Sequence, residues 1–219
     1  MHLPDGLIAP GLSLSGYVAS FILVIWTTRR KMMIRVMSQV SLVAAVVFVS
    51  SLIHIPMGFT TVHFTFIGLA GILLGPLAFP AVAMAIAMQS ILLGHGGFTA
   101  IGLNSLNMGC AALLTYILFA RLRPLLQRGQ RNDVAMAAAA GFFGALFKVS
   151  AGSAVLILSG FPRETFYLIT MAHIPVILGE SMAAGLAAGY LIKFAVWQPR
   201  LHSEVYYGIF DKAGQSMEI

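Results

Sequence analysis

Seven apolar runs constrain what this chain can fold into more than any other feature, at roughly residues 8–28, 36–56, 64–75, 77–93, 102–120, 134–160 and 167–196. Most are long enough to cross a hydrocarbon core, which takes about 20 residues of helix. Charged residues make up 9% of the chain, against about 25% in soluble domains. The expected fold is an all-α polytopic membrane protein with about seven transmembrane segments. One run, FTFIGLAGILLG, is too short to span and stops at Gly75-Pro76, so it reads as a half-helix or a re-entrant piece. Broken helices at membrane depth are tolerated where protein buries them or where they line a cavity. Transporters place binding sites at such breaks.

Lysine and arginine set the expected orientation. Arg29, Arg30, Lys31 and Arg35 follow the first run, Arg121, Arg123, Arg128 and Arg131 follow the fifth, and Lys193, Arg200 and Lys212 close the chain. The intervening loops hold only Arg163. The N-terminus is therefore expected outside and the C-terminus in the cytoplasm, with FTTVH (59–63), GHGGFTA (94–100) and FPRET (161–165) on the outer face. No basic n-region precedes the first run, so the N-terminus is expected to be retained. Residues 1–196 form the membrane-embedded domain and 197–219 a cytoplasmic tail. The net charge of +6 does not point to nucleic acid, because the basic residues lie between apolar runs. The single cysteine, Cys110, excludes an intrachain disulfide and is read as a packing residue.

Lys148 and Glu180 fall inside apolar runs, where charge is costly and marks either function or a polar lock. Ala137, Gly141 and Ala145, and likewise Gly185 and Gly189, recur at four-residue spacing, which suits close helix packing or a partner membrane subunit.

The opening MHLPDG offers a specific chemistry. A free α-amine has a pKa of about 7.7–8.0 and loses its proton to a metal more readily than a lysine does. With histidine second, the Met1 amine, the His2 amide nitrogen and the His2 imidazole can close fused chelate rings around one ion. Such nitrogen-rich tetragonal sites favour Ni(II) or Cu(II). His63, outside by topology and beside the broken helix, is the best candidate for a fourth nitrogen. His95 stands in a glycine-rich outer loop as a group behind the ligands or a plain loop residue. His54 and His173 fall within apolar runs and His202 in the tail, and they are weaker candidates. Asp5 reads as a turn or helix-cap residue, or as an outer carboxylate orienting His2.

MHLPDG, IPMG with a histidine at 63, GILLGP (71–76) and GHGGFTAIGLNSLNMG (94–109), in this order, resemble the CbiM/NikM family. These are substrate-capture membrane proteins, or S components, of energy-coupling factor transporters for cobalt and nickel. The similarity runs from residue 1 to about 195. It implies seven helices, an N-terminal segment tucked into the bundle from outside, and Met1, His2 and His63 as metal ligands. It further implies that Gly96, Gly97, Asn104 and Asn107 shape the pocket. The chain departs from the family in reading MGFTTV where a Gly/Ser-rich stretch is more usual, and in carrying His95 where Asp is usual. The PDG opening is closer to nickel members.

The expectation is capture of Ni²⁺, or of Co²⁺, at the outer face of a prokaryotic cell (inner) membrane, with no organic cofactor. The implied partners are a transmembrane coupling (T) subunit, cytoplasmic ATPase subunits and a small accessory membrane subunit. The chain has no GxxxxGK[ST] phosphate loop, so it is expected to be a transport component rather than an enzyme. The competing readings are an S component for an organic vitamin and an intramembrane enzyme, although no HExxH occurs.

Overall fold

The computed structural model describes residues 2–28, 34–57, 60–123 and 130–193. Met1, the basic residues 29–31, Arg128 and the tail from 197 with His202, all invoked above, lie outside the described residues. The elements are α1 (Pro10–Thr28), α2 (Ile34–Ser50), β1 (His54–Met57), β2 (Thr60–His63), α3 (Ile67–Leu74), a 3-10 turn (Gly75–Leu77), α4 (Ala78–Leu93), α5 (Ile101–Leu122), α6 (Gln130–Leu158) and α7 (Glu164–Lys193).

Helix α1 is built inside out. It buries Ser13, Gly16, Ser20 and Thr27 and exposes Leu14, Phe21, Ile22 and Trp26. A soluble helix would bury its apolar stripe. Here the small and polar face meets protein and the apolar face is left for lipid, as expected where lipid gives no hydrophobic drive to helix association. Gly16 and Gly102 make the α1–α5 contact possible, since a Cβ on Gly102 would stand 2.4 Å from the Tyr17 nitrogen. Among the described residues, five stretches are long and apolar enough to cross a membrane. The chain is thus a multi-pass helical membrane protein.

One of those five, Ile67–Leu93, does not run from one end of the bundle to the other. His63, just before it, and His95, just after it, have ring centroids 5.4 Å apart. The segment enters as α3, reverses at the Gly75–Leu77 turn and returns as α4. Gly75 adopts φ 58°, a conformation glycine accepts without penalty, and Pro76 supplies the fixed φ of the turn. This is the short broken piece expected from GILLGP, and it is packed in protein: Ile67, Ala70 and Leu74 are buried with residues of α2, α4 and α5, and Ile72 with residues of α5, α6 and α7.

The second run was expected to stay in one apolar segment through residue 56, but α2 ends at Ser50 and residues 54–57 form strand β1. β1 pairs antiparallel with β2 in the register His54↔His63, Ile55↔Val62, Pro56↔Thr61. Hydropathy does not distinguish a short apolar strand from the end of a helix, and the β-branched Ile53 and Ile55 with Pro56 favour the strand.

The small-residue stripes are spent on internal packing. A Cβ on Gly141 would lie 3.0 Å from the Ala184 Cβ, and one on Gly185 would lie 2.8 Å from the Val134 carbonyl oxygen. Ser181 adds a hydrogen bond from its hydroxyl to the Ala138 carbonyl at 2.8 Å. Helices α6 and α7 therefore form a tight pair against which α3 is seated.

Candidate metal centre

Residues 2–8 run as an irregular segment that turns at Asp5-Gly6 and is pinned to the start of α5. Asn104, fully buried, makes two bonds to one residue of this segment. Its Oδ1 accepts from the Leu3 N–H at 2.8 Å, and its Nδ2 donates to the Leu3 carbonyl at 3.0 Å. The side chain thus stands in for a neighbouring strand. Asp5 Oδ1 accepts from the Thr99 hydroxyl at 2.6 Å and the Ala100 N–H at 3.2 Å. Asp5 therefore supplies from a distance the cap that α5 lacks locally. The Thr99 bond holds its carboxyl below the usual carboxylate range. Its oxygens engage the 99–100 loop rather than the His2 ring.

This anchoring places His2 against two other histidines. His2 Nδ1 lies 3.0 Å from His63 Nε2 and 3.1 Å from His95 Nε2. The ligand atoms of the three residues all fall within 4.8 Å of one another. One imidazole nitrogen facing two others cannot satisfy both by hydrogen bonding if it acts as acceptor, because it has one lone pair. His2 Nε2 and His63 Nδ1 are buried without a hydrogen-bond partner among the described residues. Burial, reinforced by the neighbouring rings, pushes the His2, His63 and His95 imidazoles below their ordinary value, so each ring is neutral and keeps one unprotonated nitrogen. The arrangement is one of converging neutral nitrogens, suited to a borderline divalent cation.

The backbone around His95 explains its position. Gly94, Gly96 and Gly97 all have positive φ. A Cβ on Gly96 would lie 3.0 Å from Asn104 Nδ2 and 3.4 Å from His2 Cδ2, so glycine lets the loop lie flat on the His2 ring. A Cβ on Gly97 would collide with the Asp5 carboxyl. The Ser13 and Tyr17 hydroxyls reach back from α1 to the Thr99 and Phe98 carbonyls.

His63 is fixed from the other side by a buried network. Glu180 Oε1 accepts from the Thr65 N–H, from the Thr65 hydroxyl at 2.7 Å and from the Phe66 N–H at 3.1 Å. Lys148 Nζ donates to Thr65 Oγ1 and Glu180 Oε2, each at 2.9 Å. Phe66 is held at φ 48°, unusual for a non-glycine residue, at the start of α3. Lys148 and Glu180 thus do pair with each other, and they lock the segment that begins at His63. Asn107 belongs to the same lock: its Nδ2 donates to the Lys148 carbonyl at 3.0 Å, and it makes this bond across to α6. His173 lies elsewhere in α7, with its Nδ1–H on the Ile169 carbonyl at 2.8 Å.

Sequence reasoning undervalued two residues. His54 joins the cluster, its ring 5.4 Å from His63 and 4.8 Å from His95. Its available signal was the nine-residue spacing to His63 around Gly58-Phe59, which fits a hairpin. Gln89, fully buried beneath the loop and bonded through Nε2 to Ser51, was not singled out, and nothing in its spacing would have found it.

Architecture and site first define a class: a multi-pass membrane protein whose N-terminal segment brings a histidine against two others at one end of the bundle. Residues 2–196 match the model of the family described as the cobalt uptake substrate-specific transmembrane region, CbiM, and the chain belongs to that family. A Haemophilus influenzae protein named for metal transport is 32% identical over 185 residues, 83% of this chain and 88% of its own length. The fused nickel transport protein NikMN of Rhodobacter capsulatus is 36% identical over 155 residues, 66% of this chain but 43% of that longer protein. The cobalt transport protein CbiM of Thermosipho melanesiensis is 30% identical over 75% of this chain and 71% of its own. Among solved structures, a transition metal transporter superposes with a TM-score of 0.79 at 22% identity, covering 94% of this chain and 99% of that one. The S-component for biotin from an ECF-type ABC transporter superposes at 0.57 and 20% identity, over 73% of this chain and 92% of that one. Both similarities establish the fold.

Proposed function

We propose that the chain is the substrate-capture component of an energy-coupled metal importer and takes Ni²⁺, with Co²⁺ as the second substrate, at the extracytoplasmic face. The observation that carries this reading is the 3.0 Å separation of His2 Nδ1 and His63 Nε2. Two nitrogens bound at right angles to one ion, at about 2.0–2.1 Å each, lie about 2.8–3.0 Å apart. Nδ1 is also the nitrogen that closes a six-membered chelate ring with its own residue's amide. With Met1 as the mature terminus, its amine would supply the remaining nitrogen of the chelate. His95 Nε2 then stands by as a further nitrogen at the edge of the set.

The proposed orientation puts the histidine end outside. Arg121, Arg123 and Arg131 sit at the far end of α5 and the start of α6, about 30 Å away by helix length, in keeping with basic residues on the cytoplasmic side. Energy would come from separate ATPase subunits through a transmembrane coupling subunit, as the likeness to an ECF S component suggests. His2→Leu keeps a bulky second residue and deletes the imidazole. Ni²⁺ uptake by the assembled transporter is expected to collapse, and unchanged uptake would refute the reading.

A further inference from the structure

The inner rings are withdrawn from solvent relative to His54. His63 is 3% exposed, His2 and His95 are partly buried, and only His54 is exposed. His54 projects from β1 at the position paired with His63, and its ring meets the His95 ring edge-on at 4.8 Å. Two imidazoles sharing one ion at about 2.0–2.1 Å per nitrogen put their centroids about 4.5–5.2 Å apart. His54 Nδ1 lies 2.9 Å from the Leu52 carbonyl oxygen. A carbonyl can only accept, so Nδ1 carries the proton and Nε2 carries the lone pair. Metal-ligating histidines are commonly fixed in this way. On the other side, His95 is tied by its backbone, its N–H on the Gln89 carbonyl at 3.2 Å and its carbonyl on the Ser90 hydroxyl at 3.0 Å. Its backbone is held, so turning about its side-chain bonds is the motion that remains between the outer and inner imidazoles.

We propose that His54 and His95 form an outer transit site for the divalent transition-metal ion, from which His95 hands the ion to His2 and His63. The inference rests on the metal-capture reading above. It adds a second, weaker site of two imidazoles, reached from solvent through the exposed His54. A transit site lowers the barrier between solvent and the inner site, so it speeds entry and exit by the same factor and leaves the equilibrium alone.

The test uses the full chain in detergent with a native N-terminus and NiCl₂ as the probe, followed by stopped-flow absorbance. His54→Ala is expected to slow both association and dissociation by about tenfold or more and to leave Kd within about twofold. In a His2→Leu background, weak Ni²⁺ binding is expected to remain and to vanish when His54→Ala is added. Unchanged rates in His54→Ala would overturn the proposal, and so would a weakened Kd with unchanged association, which would make His54 a ligand of the inner set. Residual binding in His2→Leu that is indifferent to His54 would overturn it too. Tight binding retained in His2→Leu would instead remove the inner chelate, while the rate effect of His54→Ala in the parent chain would still decide the transit role.

Discussion

Lys148 Nζ lies 2.9 Å from Glu180 Oε2, with the two side chains 1% and 2% exposed. A buried ion pair is weak evidence of stabilisation by itself, because desolvation offsets much of the attraction. Its consequence here is positional. The other carboxylate oxygen collects the first N–H groups of the turn into α3, two residues beyond His63, so the pair sets where that imidazole stands.

Glu180→Gln should therefore be harmful in two ways. It leaves Lys148 as an uncompensated buried charge, a change that costs about 3–5 kcal/mol. It also weakens the hold on the Thr65–Phe66 turn, because a neutral Gln oxygen is a poorer acceptor than a carboxylate and the Gln amide group is set against Lys148, and so lowers Ni²⁺ affinity. Adding Lys148→Met removes the charge, while the Gln oxygen still serves the two N–H groups, so the double variant should be more stable than Glu180→Gln alone. Thermal unfolding followed by tryptophan fluorescence in one detergent checks this order, and a double variant no more stable than Glu180→Gln alone would contradict it.

Asn104 should matter through the terminus rather than through the metal. Asn104→Leu preserves bulk and deletes both bonds to Leu3, freeing the segment that carries His2. Ni²⁺ affinity is expected to fall by roughly 10–100-fold, as for other groups that orient metal ligands. Asn104→Asp keeps an acceptor for the Leu3 N–H but turns a second acceptor toward the Leu3 carbonyl, so it should do no better. Equilibrium dialysis gives both values, and wild-type affinity in Asn104→Leu would show that the clamp is dispensable.

That the rings of His2 and His63 meet was implied by the family resemblance alone, but the membrane fold, the break at Gly75-Pro76 and the placing of the two histidines on one side were legible in the residues. Each follows from a rule that needs no tertiary information: run length, a Gly-Pro stop, or the side on which alternating segments leave a loop. The β-hairpin was not legible, because Ile53 and Ile55 are as hydrophobic as the helix they follow. That error hid His54, which the strand pairing alone sets opposite His63. The Lys148–Glu180 pairing was visible as an option, but its attachment to Thr65 and Phe66 was not. Nothing local to residues 65–66 announces a carboxylate more than a hundred positions away.

Helix packing gives a prediction independent of the metal. A Cβ on Gly71 would stand 2.2 Å from the Ala112 carbonyl oxygen, a backbone atom that cannot swing aside. Gly71→Ala should force α3 off α5 and cost about 1–3 kcal/mol. Gly11→Ala, in the first turn of α1 with open space around it, should be neutral or slightly stabilising. Melting temperatures of the two variants check the contrast, and equal values would mean that the α3–α5 approach is looser than described.

Proton release separates the amine-and-amide chelate from a purely imidazole site. Burial holds the His2, His63 and His95 rings below the ordinary imidazole value, so at pH 7 they are already neutral and give up no proton when an ion arrives. The α-amine, with a pKa of about 7.7–8.0, is mostly protonated at pH 7, and an amide always carries its hydrogen. Ni²⁺ binding through Met1, His2 and His63 should therefore release about two protons, and affinity should rise steeply with pH between about 6 and 7.5. Three imidazoles alone would release close to none and give a nearly flat profile there. The ion-free protein has its own dependence. Between the depressed folded values and about 6.5, the unfolded chain binds more protons than the folded one, so stability rises with pH across that window and acid weakens the fold. Calorimetry of Ni²⁺ binding in buffers of different ionisation enthalpy counts the protons, and a count near zero would exclude the terminal chelate.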